Sequence, residues 1–266
     1  MGNFRPYRNL LLAQVRAQAQ YRASFVIDLL GSAVFTTLDL GTVFILFSVH
    51  GSLGGFGGRE VLLMAALTAL AFPLADLAVG NVERLRLYVR TGLFDSLLIR
   101  PLPALAQLLA MDFAPRRIGR VAQGLAVYVV ALAVAGIPWT PGRALLAVVA
   151  PLAGATLFAS LFVAGATVAF WWIESGEFAA SFTYGGRDFA SYPLTMYRGA
   201  FRTLFAFGLG FAFVAYLPAL ALLGRTDPVG TPVWLHWCSP LAAMAAAFMA
   251  FLLWRTGIRH YRSTGS

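Results

Sequence analysis

From Ala144 to Trp172 the chain runs without one charged side chain. A helix needs roughly 20 apolar residues to cross a bilayer, and this run is longer than that. Val61 to Val79, Val121 to Ile137 and Ser239 to Trp254 are similar in character, and Phe25 to Val49 carries two aspartates, Asp28 and Asp39. Lipid offers the backbone no hydrogen bonds, so a spanning segment must be a helix or part of a closed barrel. A barrel shows alternating residues rather than unbroken apolar runs. The expected fold class is therefore all-α, a polytopic membrane protein. Composition agrees, with 59% hydrophobic and 12% charged residues, about half the charged share of a soluble domain.

The formal charge is +9, and every basic residue apart from the three histidines is an arginine. A basic excess often marks a nucleic-acid binder. Here the arginines cluster between apolar runs, and the tendency of cytoplasmic loops to be positive explains them better. No nucleic-acid partner is expected; the lipid bilayer is. The absence of lysine excludes a nucleotide-binding P-loop, whose lysine reaches the phosphates, and excludes a Schiff-base lysine. If ATP drives this protein, another subunit binds it. Cys238 is the sole cysteine, and His50, His236 and His260 are scattered, so neither a disulfide nor a metal site is expected. No secretory signal is visible, because the apolar run Leu10 to Ala13 is too short.

Residues 3–22 place Arg5, Arg8, Arg16 and Arg22 around Leu10, Leu11, Leu12, Val15 and Ala19. That pattern suits an elbow helix lying in the membrane interface. Two stretches compete to be the fifth span. Residues 174–192 are weakly apolar and contain Arg187 and Asp188; residues 203–223 are strongly apolar. Hydropathy alone favours the second. With either choice most arginines fall on one side, which puts both termini in the cytoplasm with six spans.

Residues 83–103, ERLRLYVRTGLFDSLLIRPLP, form the long charged run between apolar segments. Arg84, Arg86, Arg90 and Arg100 alternate with Leu85, Leu87, Val89, Leu93, Phe94, Leu97 and Leu98. Such a segment belongs at a membrane surface, as a plain interfacial helix or as a docking element. Gly92 should break it, and Pro101 and Pro103 should end it.

The order of these parts is similar to that of permeases of the ABC-2 class of ABC transporters. RTGLFDSLLIRPLPAL, Arg90 to Leu105, resembles a run in the cytoplasmic loop between spans two and three of one branch of that class. YPLTMYRGAFRTLFAFGLGFAFVAYLPALALLG, Tyr192 to Gly224, resembles the run before their last span. The resemblance covers nearly the whole chain. It implies that residues 83–103 hold a coupling helix, with Arg90, Gly92, Leu93, Phe94, Asp95, Leu97, Leu98 and Arg100 docking on an ATP-binding subunit. It implies two such subunits carrying ATP and Mg, a second permease that is identical or related, and no cofactor on this chain. It implies that 174–192 crosses while 199–224 is a re-entrant extracellular hairpin, against hydropathy. Gly208, Gly210 and Pro218 suit a hairpin turn and a break.

The implied function is the membrane subunit of an exporter of amphipathic, drug-like or lipid-linked compounds in the bacterial plasma membrane. The chain would have no catalytic residues of its own. Asp39, Arg187 and Asp188 are candidates for the transport path, since a charge at membrane depth must face an interior or a partner. The alternative is a proton-coupled secondary transporter or channel, with Asp39 and Asp76 carrying protons. A membrane enzyme is disfavoured, because no nucleophile constellation or paired carboxylates are present.

Overall fold

The computed structural model describes residues 27, 30, 31, 34, 41, 51–110 and 116–262. The proposed elbow helix, nearly all of the first apolar run and Asp39 lie outside the described residues.

The described chain is a helical bundle. Helix α1 spans Gly58–Val79. A 3-10 turn, Gly80–Arg84, leads to two short helices, α2 (Leu85–Arg90) and α3 (Leu93–Leu98). Then come α4 (Ala104–Ala110), α5 (Arg116–Val134) and α6 (Pro141–Thr167). The chain continues through α7 (Gly176–Ala190), α8 (Gly199–Thr203) and α9 (Tyr216–Leu223) to α10 (Ser239–His260). Four helical stretches, Gly58–Arg90, Arg117–Val134, Pro141–Phe170 and Ser239–His260, are long and apolar enough to cross a membrane. The pair Gly199–Gly208 and Phe211–Leu223 would be a fifth if it counts as one span, but it is bent by 61°.

Helix α6 is the centre of the bundle, packed against both α1 and α10, with α5 on the far side of α1. Its start is set by Thr140, whose hydroxyl accepts from the Arg143 amide at 3.3 Å, followed by Pro141 in the first turn; both are ordinary helix-start devices. Small residues set the helix spacing. A Cβ on Gly124 of α5 would lie 2.3 Å from the Ala69 carbonyl oxygen of α1, so only glycine allows this approach. The Tyr128 hydroxyl donates to the Ala147 carbonyl at 2.8 Å and ties α5 to α6.

Two ends of the bundle follow. At one, here called the arginine-rich end, lie residues 80–110, the start of α5, residues 168–178 and Tyr261. The opposite end holds residues 51–60, 135–143 and 224–238. Helix α7 begins at the arginine-rich end, where Glu174 meets Arg90 at 3.6 Å. The chain after it reaches the opposite end, where the Thr195 hydroxyl donates to the Gly54 carbonyl at 2.8 Å. From there α8 and a π-helical turn, Leu204–Gly208, lead inward to Gly210. Gly210 has φ 80°, a left-handed conformation that favours glycine. It sits against Leu157, well inside α6. Helix α9 then returns to the end it came from, where Arg225 bonds Gly55 and Glu60. The strongly apolar block is thus bent in two, because Gly208 and Gly210 give the chain a place to turn.

Candidate functional site

The charged stretch folds into two short helices that share their sides between the bundle and the outside. Helix α2 buries Leu85, Tyr88 and Val89 and leaves Arg86, Leu87 and Arg90 exposed. Gly92, at φ 72°, takes the left-handed conformation that ends α2 and opens α3. Helix α3 then buries Phe94 and Leu97, at 0% and 1% exposure, while Leu93 is 52% and Ile99 85% exposed. Leu98 and Arg100 are exposed too.

This division separates residues that the sequence left together, with Phe94 and Leu97 turned into the bundle and Leu93 and Leu98 turned outward. The Phe94 ring is already taken, with its centroid 5.2 Å from Phe170 and 5.0 Å from Tyr261. Phe170 in turn stands 5.5 Å from Trp254. The Tyr261 hydroxyl donates to the Asp95 carboxylate at 2.9 Å; burial, with that carboxylate, pushes its phenol up to about 12. The Gln107 amide nitrogen donates to the carbonyls of Leu97 at 2.9 Å and Leu102 at 2.8 Å, which holds the proline turn against the end of α3. So α3 is fastened by one aromatic face to the turn after α6 and to the residue that caps α10, and its other face is open.

Below this lies an ion-pair cluster. Asp76 receives Arg117 Nε at 3.2 Å and Arg120 at 3.6 Å. Arg117 also donates to the Asn81 side-chain oxygen and the Asp76 carbonyl, each at 3.0 Å. Asp76 is buried at 7% exposure, so its charge is held by these partners. Outside it, Arg86 meets Glu177 at 3.6 Å, as Arg90 meets Glu174, both between largely exposed side chains. An open cleft of about 140 Å³ lies between the 3-10 turn, α6 and α7, lined by Glu83, Arg86, Phe162, Glu177 and Tyr184 among smaller residues.

Residues 33–265 match the family model described as ABC-2 family transporter protein. The chain belongs to that family. No curated protein and no solved structure matches it. The family is one of transport subunits that normally work with an ATP-binding subunit, and its members span the membrane several times.

The other candidate residues of this ABC-2 protein are divided as well. The Arg187 guanidinium lies over the Phe72 ring, 5.6 Å from its centroid, facing into the bundle. Asp188 next to it is exposed and makes no ion pair among the described residues. Asp39 lies outside them. No cluster of three or more His, Cys, Asp or Glu residues fit to hold a metal occurs among the described residues. Sequence reasoning missed Gln107, which bonds carbonyls of the preceding turn, and Tyr261 and Phe170, whose partner Phe94 is remote in the chain. Glu174 and Glu177 were within reach of it: two acids three residues apart, at the head of a stretch facing a basic loop, suggest pairing.

Proposed function

We propose that this ABC-2 family protein is the membrane-spanning permease of an ATP-driven exporter. It moves an amphipathic, drug-like or lipid-linked compound out of a bacterial cytoplasm. Two ATP-binding subunits, which hold ATP and Mg, dock at the arginine-rich end, and a second permease completes the assembly. Six spans with both termini in the cytoplasm fit the arginine distribution. In this reading α7 is the fifth span, and residues 199–224 form a re-entrant hairpin. The bonds of Thr195 to Gly54 and of Arg225 to Gly55 support it, since they hold both ends of that segment against one loop.

One observation carries the coupling role: α3 is packed into the bundle by Phe94 and Leu97 while Leu93, Leu98 and Ile99 point outward. A coupling element needs both faces. Leu93 and Leu98, flanked by Arg90 and Arg100, meet the ATPase. Phe94, Leu97 and the Asp95–Tyr261 bond pass the movement to α6 and α10. Gly92 sets the angle between α2 and α3.

Co-purification in detergent, with the associated chains identified, tests this. A P-loop ATPase is expected. Replacing Leu93 and Leu98 together by alanine should leave the chain folded and weaken association more than tenfold, because losing one interface hot spot costs about 2 kcal/mol. Phe94→Ala should act differently. It empties a buried site and costs about 3 kcal/mol of the chain's own stability. Unchanged association in the Leu93→Ala, Leu98→Ala double variant would return the stretch to a plain membrane-surface helix.

A further inference from the structure

Helices α5 and α10 both turn large apolar side chains outward, and both carry arginines at the arginine-rich end. What those arginines meet differs. On α5, Arg117 and Arg120 turn to the buried Asp76. On the charged stretch, Arg86 and Arg90 meet Glu177 and Glu174. On α10, Arg255 and Arg259 are exposed, as is Arg262 just beyond the helix. None of these three forms an ion pair with a described residue.

The face that carries them is continuous. Leu241, Phe248, Leu252, Arg255 and Arg259 are exposed and follow at steps of seven, four, three and four, so they lie in one line along the helix. Ala243, Ala250, Trp254 and Gly257 are buried on the opposite side. At about 1.5 Å per residue, Arg259 stands about 27 Å from Leu241, close to the ~30 Å thickness of a hydrocarbon core. The apolar line therefore ends in guanidinium groups at the depth where acyl chains end in phosphates. Trp171, 47% exposed, stands 5.7 Å from the His260 ring, and tryptophan favours that same headgroup level. Capping does not account for the arginines. The last carbonyls of α10 are served by His260, with Nδ1 3.0 Å from the Thr256 oxygen, and by the Tyr261 amide, which donates to Gly257 and Ile258.

We propose that the arginine-rich end of α10 is a binding site for an anionic phospholipid. Arg255 and Arg259 hold its phosphate, whose oxygens match the fork of a guanidinium, and Arg262 adds charge at the membrane surface. The acyl chains lie along Leu252 and Phe248, and Trp171 borders the headgroup. Arginines just outside a spanning segment attract anionic lipid in this way. The lipid supplies the negative charge that no described acid supplies to these three side chains. The proposal goes beyond the permease reading and needs only a bilayer around α10.

The full chain is reconstituted in vesicles of phosphatidylcholine. Quenching of its tryptophan fluorescence is compared when a small share of the lipid is brominated phosphatidylglycerol or brominated phosphatidylcholine, with the bromines near the glycerol. The part of the quenching lost in Trp171→Phe reports on the site. One arginine near an anionic surface favours binding about fivefold, so the site should prefer phosphatidylglycerol at least ~5-fold. Arg255→Gln with Arg259→Gln should bring that preference to about one, whereas Arg255→Lys with Arg259→Lys should retain most of it. No preference in the native chain would overturn the proposal, as would a preference that survives Arg255→Gln with Arg259→Gln. Equally fatal would be no quenching of Trp171 by either lipid, which would show this end of α10 covered by protein. Inorganic phosphate should not displace the lipid; displacement would show a site for free phosphate instead. Co-purification of an ATPase is scored separately and bears on the permease reading alone.

Discussion

The two ends of the bundle are closed by different chemistry. At the end opposite the arginines, polar groups converge on a few centres. The Arg225 guanidinium donates to Glu60 and, at 2.6 Å, to the Gly55 carbonyl, and lies 4.4 Å from the centre of the Phe56 ring. The Asp227 carboxylate accepts from the Tyr216 and Thr231 hydroxyls and from the Val229 amide at 2.8 Å. Arg143 donates to the carbonyls of Ala221 at 3.0 Å and Pro138 at 2.6 Å. The Arg225 and Arg143 centres join segments remote in sequence, and Asp227 ties together its own loop. Among the described residues of the arginine-rich end, the Asp76 cluster and the Gln107 amide are comparably enclosed. The pairs Arg86–Glu177 and Arg90–Glu174 are long and wet, and exposed pairs contribute little. In the proposed permease, movement enters at the arginine-rich end while the opposite end stays shut. Weak contacts belong where movement enters, since mobile elements come from the least stable part of a fold.

That contrast is most open to test at its exception. Asp76→Ala removes the acceptor of Arg117 and Arg120 and leaves Arg117, whose side chain is 16% exposed, without its main counter-charge. Breaking a buried pair from one side costs about 3–5 kcal/mol. Denaturant unfolding in mild detergent should register a loss of that size, the largest expected from a single ionic change here. A loss under about 1 kcal/mol would mean that the cluster is solvated and that the arginine-rich end is loose throughout.

A direct comparison of the ends comes next in size. Arg225→Gln takes away the charge shared by Glu60, Gly55 and Phe56. Hydrogen bonds to charged groups contribute about 1.5–3 kcal/mol, so the variant should unfold about 2 kcal/mol sooner. Arg86→Gln and Arg90→Gln should each cost below about 0.5 kcal/mol. Equal losses from all three would erase the difference between the ends.

Much of the bundle was legible because hydrophobicity is local in sequence. The runs at 61–79 and 239–254 fall within the helices found, those at 121–137 and 144–172 overrun the C-terminal ends of theirs, and Gly92 and Pro101 punctuate the charged stretch as their backbone limits require. Hydropathy did not show the bend of 61° between Gly199–Gly208 and Phe211–Leu223; an apolar run does not say whether it is straight, and only the glycines hinted at it. Facing was illegible in α3. Leu93, Phe94, Leu97 and Leu98 are all apolar, and a helix of six residues is too short for its period to show which two turn inward. The partners of Phe94 come from Phe170 and Tyr261, and no spacing rule links such remote positions. Helix α7 was partly legible: Arg187 and Asp188 were singled out together, but adjacent helical residues point apart, and only Asp188 faces outward.

The smallest expected effect is a dependence of the Arg225-bearing end on pH. His236 is buried among the residues after Asp227, with its Nε2 3.1 Å from the Thr231 hydroxyl. Burial holds its imidazole below its ordinary value of 6.5, and the nearby Asp227 charge offsets this only in part. For Asp227 burial acts upward, but the hydrogen bonds from Thr231, Tyr216 and Val229 outweigh it and hold the carboxyl below its ordinary 3.8. Both groups therefore bind protons more weakly folded than unfolded, and both withdraw stability as pH falls. For His236 the loss starts as pH drops below about 6.5, where the unfolded chain takes up the proton first. For Asp227 it starts near 3.8 and is complete once pH passes the lower folded value. Hydrogen exchange of residues 225–238 should speed up in these two steps, with the arginine-rich end unaffected in the first. His236→Gln should remove the first step and leave the second. If exchange at 225–238 were flat between neutral pH and about pH 5, the imidazole would be open to water and this end less tightly closed than its hydrogen bonds indicate.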